Sequence, residues 1–131
     1  MTKYGSFSIC GRIDGLIDKD GVTYINEVKN RRNCIFSSIP LYERIQLLTY
    51  TKLVGINNII FMQCKDEEYK IDTLIDFNDE ELWNDIINRL TGYCELIYQL
   101  RRMHVLRREF LKIDNNAKYD YLKSRLGWLI N

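Results

Sequence analysis

Gly11-Arg12-Ile13-Asp14-Gly15-Leu16-Ile17-Asp18-Lys19-Asp20-Gly21-Val22-Thr23-Tyr24-Ile25-Asn26-Glu27-Val28-Lys29 decides how this chain is read. Two runs rich in Ile, Val, Thr and Tyr flank Asp20-Gly21, and an Asp-Gly pair supplies the positive φ angles of a two-residue type I′ turn. The stretch is therefore a β-hairpin whose turn sets its register. With Asp20 and Gly21 as the loop, Lys19 opposes Val22, Asp14 opposes Glu27 and Arg12 opposes Lys29. Opposed residues share a face, as do residues two apart on one strand. Two carboxylates and an ammonium thus converge.

Like charges directly across a hairpin, with Cβ atoms ~5 Å apart, destabilise it, and a cation between them removes the conflict. Mg²⁺ is suited to the place because it binds a few carboxylate oxygens and keeps water. Lys29 can hold a water or a developing negative charge beside it, and together these are the groups that metal-assisted phosphodiester hydrolysis uses. Gly11 and Gly15 flank Asp14, and glycine inside a strand marks a bulge or a close approach, so access to Asp14 is expected.

Outward from the hairpin, Met1 to Gly5 reads as a frayed lead-in and Ser6 to Asp18 as extended, with Phe7 and Ile9 alternating against Ser6, Ser8 and Cys10. On the other side Asn30-Arg31-Arg32-Asn33 is a basic loop. It is either a solvated turn or, if the carboxylates hold metal, a place where Arg31 and Arg32 grip flanking phosphates. Ser37-Ser38-Ile39-Pro40 opens a helix with a hydroxyl cap and a first-turn proline. That helix runs to about Val54 and stops at Gly55. Leu41, Ile45, Leu48 and the Lys52 stem line one side, while Glu43, Gln46 and Tyr50 line another. Gln46 and Tyr50 stack four residues apart, and a helix crossing the sheet carries them toward the acidic face of the hairpin.

Asn57 to Cys64, with Ile59-Ile60-Phe61-Met62, reads as a buried strand beside the hairpin. Lys65 to Glu68 is a charged turn, and Tyr69 to Phe77 alternates as an edge strand with Asp72 and Asp76 on its solvated face. Asn78-Asp79-Glu80-Glu81 caps a helix whose apolar stripe is Trp83, Ile86, Ile87, Leu90, Tyr93, Ile97 and Leu100. Unbroken to Lys112 it would reach about 50 Å, too long for this domain, so a break is expected at Gly92 or at Arg101-Arg102. Arg101, Arg102, Arg107 and Arg108, with His104 and Lys112, form the most basic stretch, either a solvated face or a DNA-backbone contact. His104 alone reads as a surface or satisfied histidine.

The fold class expected is α/β (α+β): a small mixed sheet of about four strands with a hairpin core, one crossover helix and C-terminal helices. The 131 residues read as one domain, with a core at 6–77 and a helical region at 78–131. The net charge of +1 excludes a broad polybasic field, so nucleic-acid affinity must come from local patches. No apolar run of transmembrane length and no leader are apparent, so the expectation is a cytoplasmic or nuclear-type reducing compartment, with neither membrane insertion nor secretion. Cys10, Cys34, Cys64 and Cys94 contain no CxxC pair and read as reduced, mostly buried thiols.

Gly11-x-x-Asp14, then Glu27-Val28-Lys29, then Gln46-Leu47-Leu48-Thr49-Tyr50 together resemble the core of a PD-(D/E)XK nuclease. The Q-x-x-x-Y element resembles the RecB-like and λ-exonuclease-like branches, viral members included, and residues 6 to 64 carry the likeness. The resemblance implies a restriction-endonuclease-like core, with Asp14, Glu27 and the Val28 main-chain carbonyl as ligands of Mg²⁺, for which Mn²⁺ substitutes. Lys29 would orient or activate the attacking water, and Gln46 and Tyr50 would contact DNA or support the site. Members usually carry a helix before the core strands, often with a further acid, whereas this chain begins almost directly at the strand. Glu43 is a candidate for that acid. Otherwise the chain is a minimal version, a piece of something larger, or part of a homo-oligomer or complex whose partner completes the N-terminal side of the site.

The function expected is a Mg²⁺-dependent deoxyribonuclease, exonuclease or endonuclease. The alternatives are a non-catalytic nucleic-acid-binding or assembly module that keeps the fold, and a plain α/β interaction protein.

Overall fold

Asp20 and Gly21 sit at φ 54° and 79°, the left-handed values that a type I′ turn requires. They join β1 (Gly15–Lys19) to β2 (Val22–Asn30) in the expected register, with Lys19 opposite Val22 and Gly15 opposite Asn26. This computed structural model describes residues 6–125. The lead-in expected at Met1 to Gly5 and the end of the C-terminal region lie outside the described residues.

The first strand is shorter than its alternation suggests, because residues 6–14 do not pair. Its ladder ends where a side chain replaces it: the Val28 N–H donates to Asp14 Oδ2 at 2.9 Å. In an antiparallel ladder of this register that N–H would go to the Ile13 carbonyl. Capture by the carboxylate stops the strand one residue past Asp14.

After β2 the chain passes through α1 (Leu41–Val54) and returns as β3 (Ile59–Lys65), parallel to β2, with Glu27 opposite Phe61 and Lys29 opposite Gln63. A parallel pair needs such a crossover. Pro40, at φ −67° and ψ 157°, is the N-cap, without a side-chain hydrogen bond, so the expected hydroxyl cap does not form. Gly55 closes the helix at φ 77°, its N–H donating to the Thr51 carbonyl. A two-residue turn at Asp66-Glu67 leads to β4 (Glu68–Leu74), antiparallel to β3, giving one mixed sheet in the order β1-β2-β3-β4.

One face of this sheet carries Ile25, Glu27, Lys29, Ile59, Phe61 and Gln63. Ile25, Ile59 and Phe61 form the core with Leu47 and Tyr50 of α1. The helix therefore buries its mixed Glu43-Leu47-Tyr50-Thr51 side as well as Leu48, whereas Leu41, expected inward, is exposed. β4 is also turned over relative to expectation. Asp72 and Lys70 share the helix-covered face with Leu74, and Ile71 and Tyr69 are 47% and 70% exposed. The hairpin register decides this, and Lys70 Nζ finds the Ser37 carbonyl at 2.6 Å and Asp72 Oδ2 at 3.4 Å. The strand stops at Leu74, short of Phe77, and Asp76 lies in an exposed bend at φ 50°.

α2 (Glu80–Arg102) opens on Asp79, whose Oδ1 accepts the Leu82 N–H at 2.9 Å. It ends at Met103 rather than at Gly92, and α3 (His104–Lys112) and α4 (Asn115–Arg125) follow. Leu96 is the buried residue of α2, and Tyr93, expected in the apolar stripe, is 43% exposed. The described chain falls into two compact units, Ile9–Trp83 and residues 84–125 with 6–8. No helix among the described residues is long and apolar enough to cross a membrane. All four cysteines are free, Cys10 and Cys34 exposed and Cys64 and Cys94 half-buried, so none is in the core.

Candidate functional site

Glu27 and Lys29 of β2 meet Gln46 of α1, and Asp14 lies exposed at the open end of the hairpin, against the Val28 main chain. Asp14 stands just before β1, one residue beyond the last ladder pair, Gly15 opposite Asn26, and its Oδ2 is held by the Val28 N–H. Alternation along β2 directs the main chain of Ile25 and Arg31 toward β3, where their N–H groups reach the carbonyls of Asn58 and Cys64. The N–H and C=O of Val28 therefore point to the opposite side, toward Asp14. Asp14 is itself exposed, and a Cβ added at Gly15 would meet nothing within 4 Å, so no close approach calls for glycine at that position.

Glu27 points under the helix and is 3% exposed. Its Oε1 accepts from Lys29 Nζ at 2.6 Å, and its Oε2 is buried without a hydrogen-bond partner among the described residues. Lys29 Nζ also donates to Gln46 Oε1 at 2.7 Å, and Gln46 Nε2 donates to the Tyr50 hydroxyl at 2.8 Å. A relay Glu27–Lys29–Gln46–Tyr50 thus links the strand to the helix. Two acceptors account for two of the three ammonium N–H groups, and the third is left for a ligand. The N-terminal segment closes the far end of the relay: a Cβ on Gly11 would come within 3.1 Å of Tyr50 Cε1, so glycine there admits the close approach.

Arg31 and Arg32 separate in role. Arg31 Nη1 and Nη2 donate to the two Glu43 oxygens at 2.5 and 2.7 Å, and its Nε donates to Gln63 Oε1 at 2.9 Å. The guanidinium lies 4.2 Å from the Phe36 ring centroid. The bidentate hydrogen bond to Glu43 raises the Arg31 pKa further above its ordinary value, against the opposing effect of burial. Three of its five N–H groups are thus committed within the protein, and Glu43, considered from sequence as an extra acid of the site, is committed with it. Arg32 is exposed and lines an open concavity of about 300 Å³ with Asn30, Asn33 and Phe36.

Gln63 was missed by sequence reasoning. It is fully buried, accepts from Arg31 and from the Phe36 N–H, and donates to the Phe36 carbonyl at 3.1 Å. Its signal was its phase: it follows Ile59 and Phe61 at period two, so it shares their inward face. Of the remaining sequence candidates, Glu27, Lys29, Gln46 and Tyr50 are joined in one hydrogen-bonded relay, while Asp14 is tied to the main chain of Val28.

The arrangement offers an all-oxygen acceptor set, an ammonium donor held at one edge and a cationic loop beyond it. Comparison of the chain with protein-family models, with curated proteins and with solved structures finds no match.

Proposed function

We propose that this chain is a metal-dependent nuclease that hydrolyses DNA phosphodiester bonds on a PD-(D/E)XK-type, restriction-endonuclease-like core. The observation that carries the reading is Glu27: a buried carboxylate with one oxygen on Lys29 and the other unpartnered among the described residues, one residue along β2 from the main-chain N–H that holds Asp14. A buried acceptor without a donor costs roughly 1–3 kcal/mol, more when charged, and a bound cation removes that cost.

Asp14, Glu27 and the Val28 carbonyl fit a hard divalent ion by donor chemistry and would hold Mg²⁺ or Mn²⁺. No group of three or more His, Cys, Asp or Glu side chains suited to a metal occurs among the described residues, and an ion at these two carboxylates would take its remaining ligands from water, as Mg²⁺ commonly does. When bound, the ion lowers the pKa of a coordinated water and offsets negative charge on the reacting phosphate. Lys29 directs its third N–H at the attacking water or the phosphate, and Gln46, fixed by Tyr50, holds the ammonium in place. Arg32 contacts a phosphate flanking the scissile one, while Arg31 stiffens the loop that presents it.

The test is incubation of the protein with linear, nicked and single-stranded DNA plus Mg²⁺ or Mn²⁺, beside a Lys29→Ala variant. Cleavage by the wild type and its loss in the variant are expected. No cleavage of any substrate, or equal cleavage by both, refutes the reading. One observation favours a second reading, a nucleic-acid-binding module without hydrolysis: the 2.6 Å ion pair with Lys29 already neutralises Glu27 in part. Calorimetric titration with Mn²⁺ separates the two, since only the nuclease reading requires an ion at Asp14 and Glu27.

A further inference from the structure

The basic stretch of the C-terminal unit is not used by the site described above. In α3, His104, Arg107, Arg108, Leu111 and Lys112 fall at i, i+3, i+4, i+7 and i+8, one face of the helix, and all five are exposed. The opposite side is already occupied: Leu106 and Phe110 are half-buried, and the Phe110 ring lies 5.4 Å from that of Tyr121.

None of Arg101, Arg107, Arg108 or Lys112 forms an ion pair with any described residue. Lys112 suits the negative end of its helix, as Arg101 and Arg102 suit that of α2. Arg107 and Arg108 are mid-helix and have no such reason to be cationic. Like charges four apart, as at Arg108 and Lys112, cost a helix a few tenths of a kcal/mol. The only acid of α3, Glu109, lies off the stripe. Arg107 Nη2 donates to His104 Nδ1 at 3.0 Å, which aligns its guanidinium along the row.

We propose that this outer face of α3 is a docking surface for the phosphate backbone of a nucleic acid, distinct from the carboxylate site. From Arg107 to Lys112 the cations of the stripe rise about 7.5 Å, and one strand of a duplex presents a charge about every 3.4 Å, so the row matches roughly two to three successive phosphates. A row of cations on a convex helix suits a polymer rather than a single phosphate ion. An anionic membrane is the weaker fit, because an interfacial helix needs a continuous exposed apolar face. Here the apolar side is packed, leaving Leu111 in the stripe and Val105 at its edge. The partner's identity rests on the nuclease reading, which this surface deepens by naming a second set of residues that binds the phosphates of the substrate.

The experiment measures binding of a fluorescent DNA duplex to the full chain in EDTA at several salt concentrations, for the wild type, Arg107→Gln/Arg108→Gln and Glu109→Gln. The double variant is expected to bind about tenfold more weakly at low salt, with the log–log salt slope reduced by about 0.9 per lost phosphate contact. Glu109→Gln is expected to bind severalfold more tightly, so a folding defect in one variant cannot imitate the result. Affinity and slope unchanged in both variants overturn the proposal. So does binding to phosphatidylserine–phosphatidylcholine vesicles without binding to DNA. Because no hydrolysis is needed, failure of the nuclease reading and failure of this surface give different results.

Discussion

Glu27 and Glu43 are buried to the same degree, 3% exposed each, at one sheet–helix interface, yet their surroundings differ. Glu43 meets a guanidinium that matches both its oxygens, and the same guanidinium is tied to Gln63, which is tied to the Phe36 backbone. Each nitrogen of the Arg31 guanidinium and each oxygen of Glu43 has a partner in that cluster. Glu27 meets an ammonium on one oxygen only, and the ammonium is shared with Gln46. The first arrangement fits a structural role, since buried ion pairs are stable only when their remaining hydrogen-bonding capacity is met. The second leaves an unpartnered acceptor beside a donor with capacity to spare, as groups that act on a ligand must be.

Glu43→Ala is expected to have the largest effect, because it strands a largely buried guanidinium. A loss of about 3–5 kcal/mol is the usual result of removing one partner of a buried pair, measured here as a shift in the urea unfolding free energy. A loss below about 1 kcal/mol would break the contrast between the clusters. Glu27→Gln removes charge from a cluster that is already incomplete, and Lys29 keeps Gln46 and an exposed edge, so stability should change by less than about 1 kcal/mol. A loss as large as that of Glu43→Ala would mean that the Glu27 cluster is also structural.

The solvent-side pair Lys52–Glu80 sharpens the comparison from the weak end. Its hydrogen bond from Lys52 holds the Glu80 carboxyl below the usual range, in an exposed setting where such pairs contribute little. Because the folded-state value is the lower one, the contribution is present above the ordinary glutamate value of about 4.3 and is lost as pH falls through the lowered value. The difference in thermal midpoint between wild type and Glu80→Gln should be the smallest of the three at neutral pH and should vanish on acidification. A difference that persists in acid would assign the effect to packing.

The hairpin, its register, the parallel return after a crossover helix and the break after Arg102 were legible because each follows from local chemistry: a turn that demands positive φ, a strand period of two, a helix too long for its domain. The inward faces of α1 and β4 were not. An apolar stripe is expected to turn inward, and Leu41, Ile45 and Leu48 suggested one. The face that docks instead includes Glu43, whose desolvation is offset by Arg31 from a loop twelve residues earlier, a pairing that no local pattern announces. In β4 the two-residue turn at Asp66-Glu67 set the register and left Ile71 outward despite its apolarity. The register that sets Asp14 opposite Glu27 was legible from the turn alone, but the ladder ends at Gly15, before that pair forms, and the relay through Gln46 to Tyr50 needed the helix to cross at the right height. The early end of β1 was illegible because a carboxylate, rather than a carbonyl, takes the Val28 N–H.

The turn at Asp20-Gly21 also limits how the gene can change. Side chains alternate along each arm, so an insertion in one arm alone would turn its acid to the other face of the sheet. The hairpin can lengthen only by matched additions to both arms, in steps that preserve the alternation. The tolerance of this region to insertion is thus set by a turn five residue pairs away from Asp14 and Glu27.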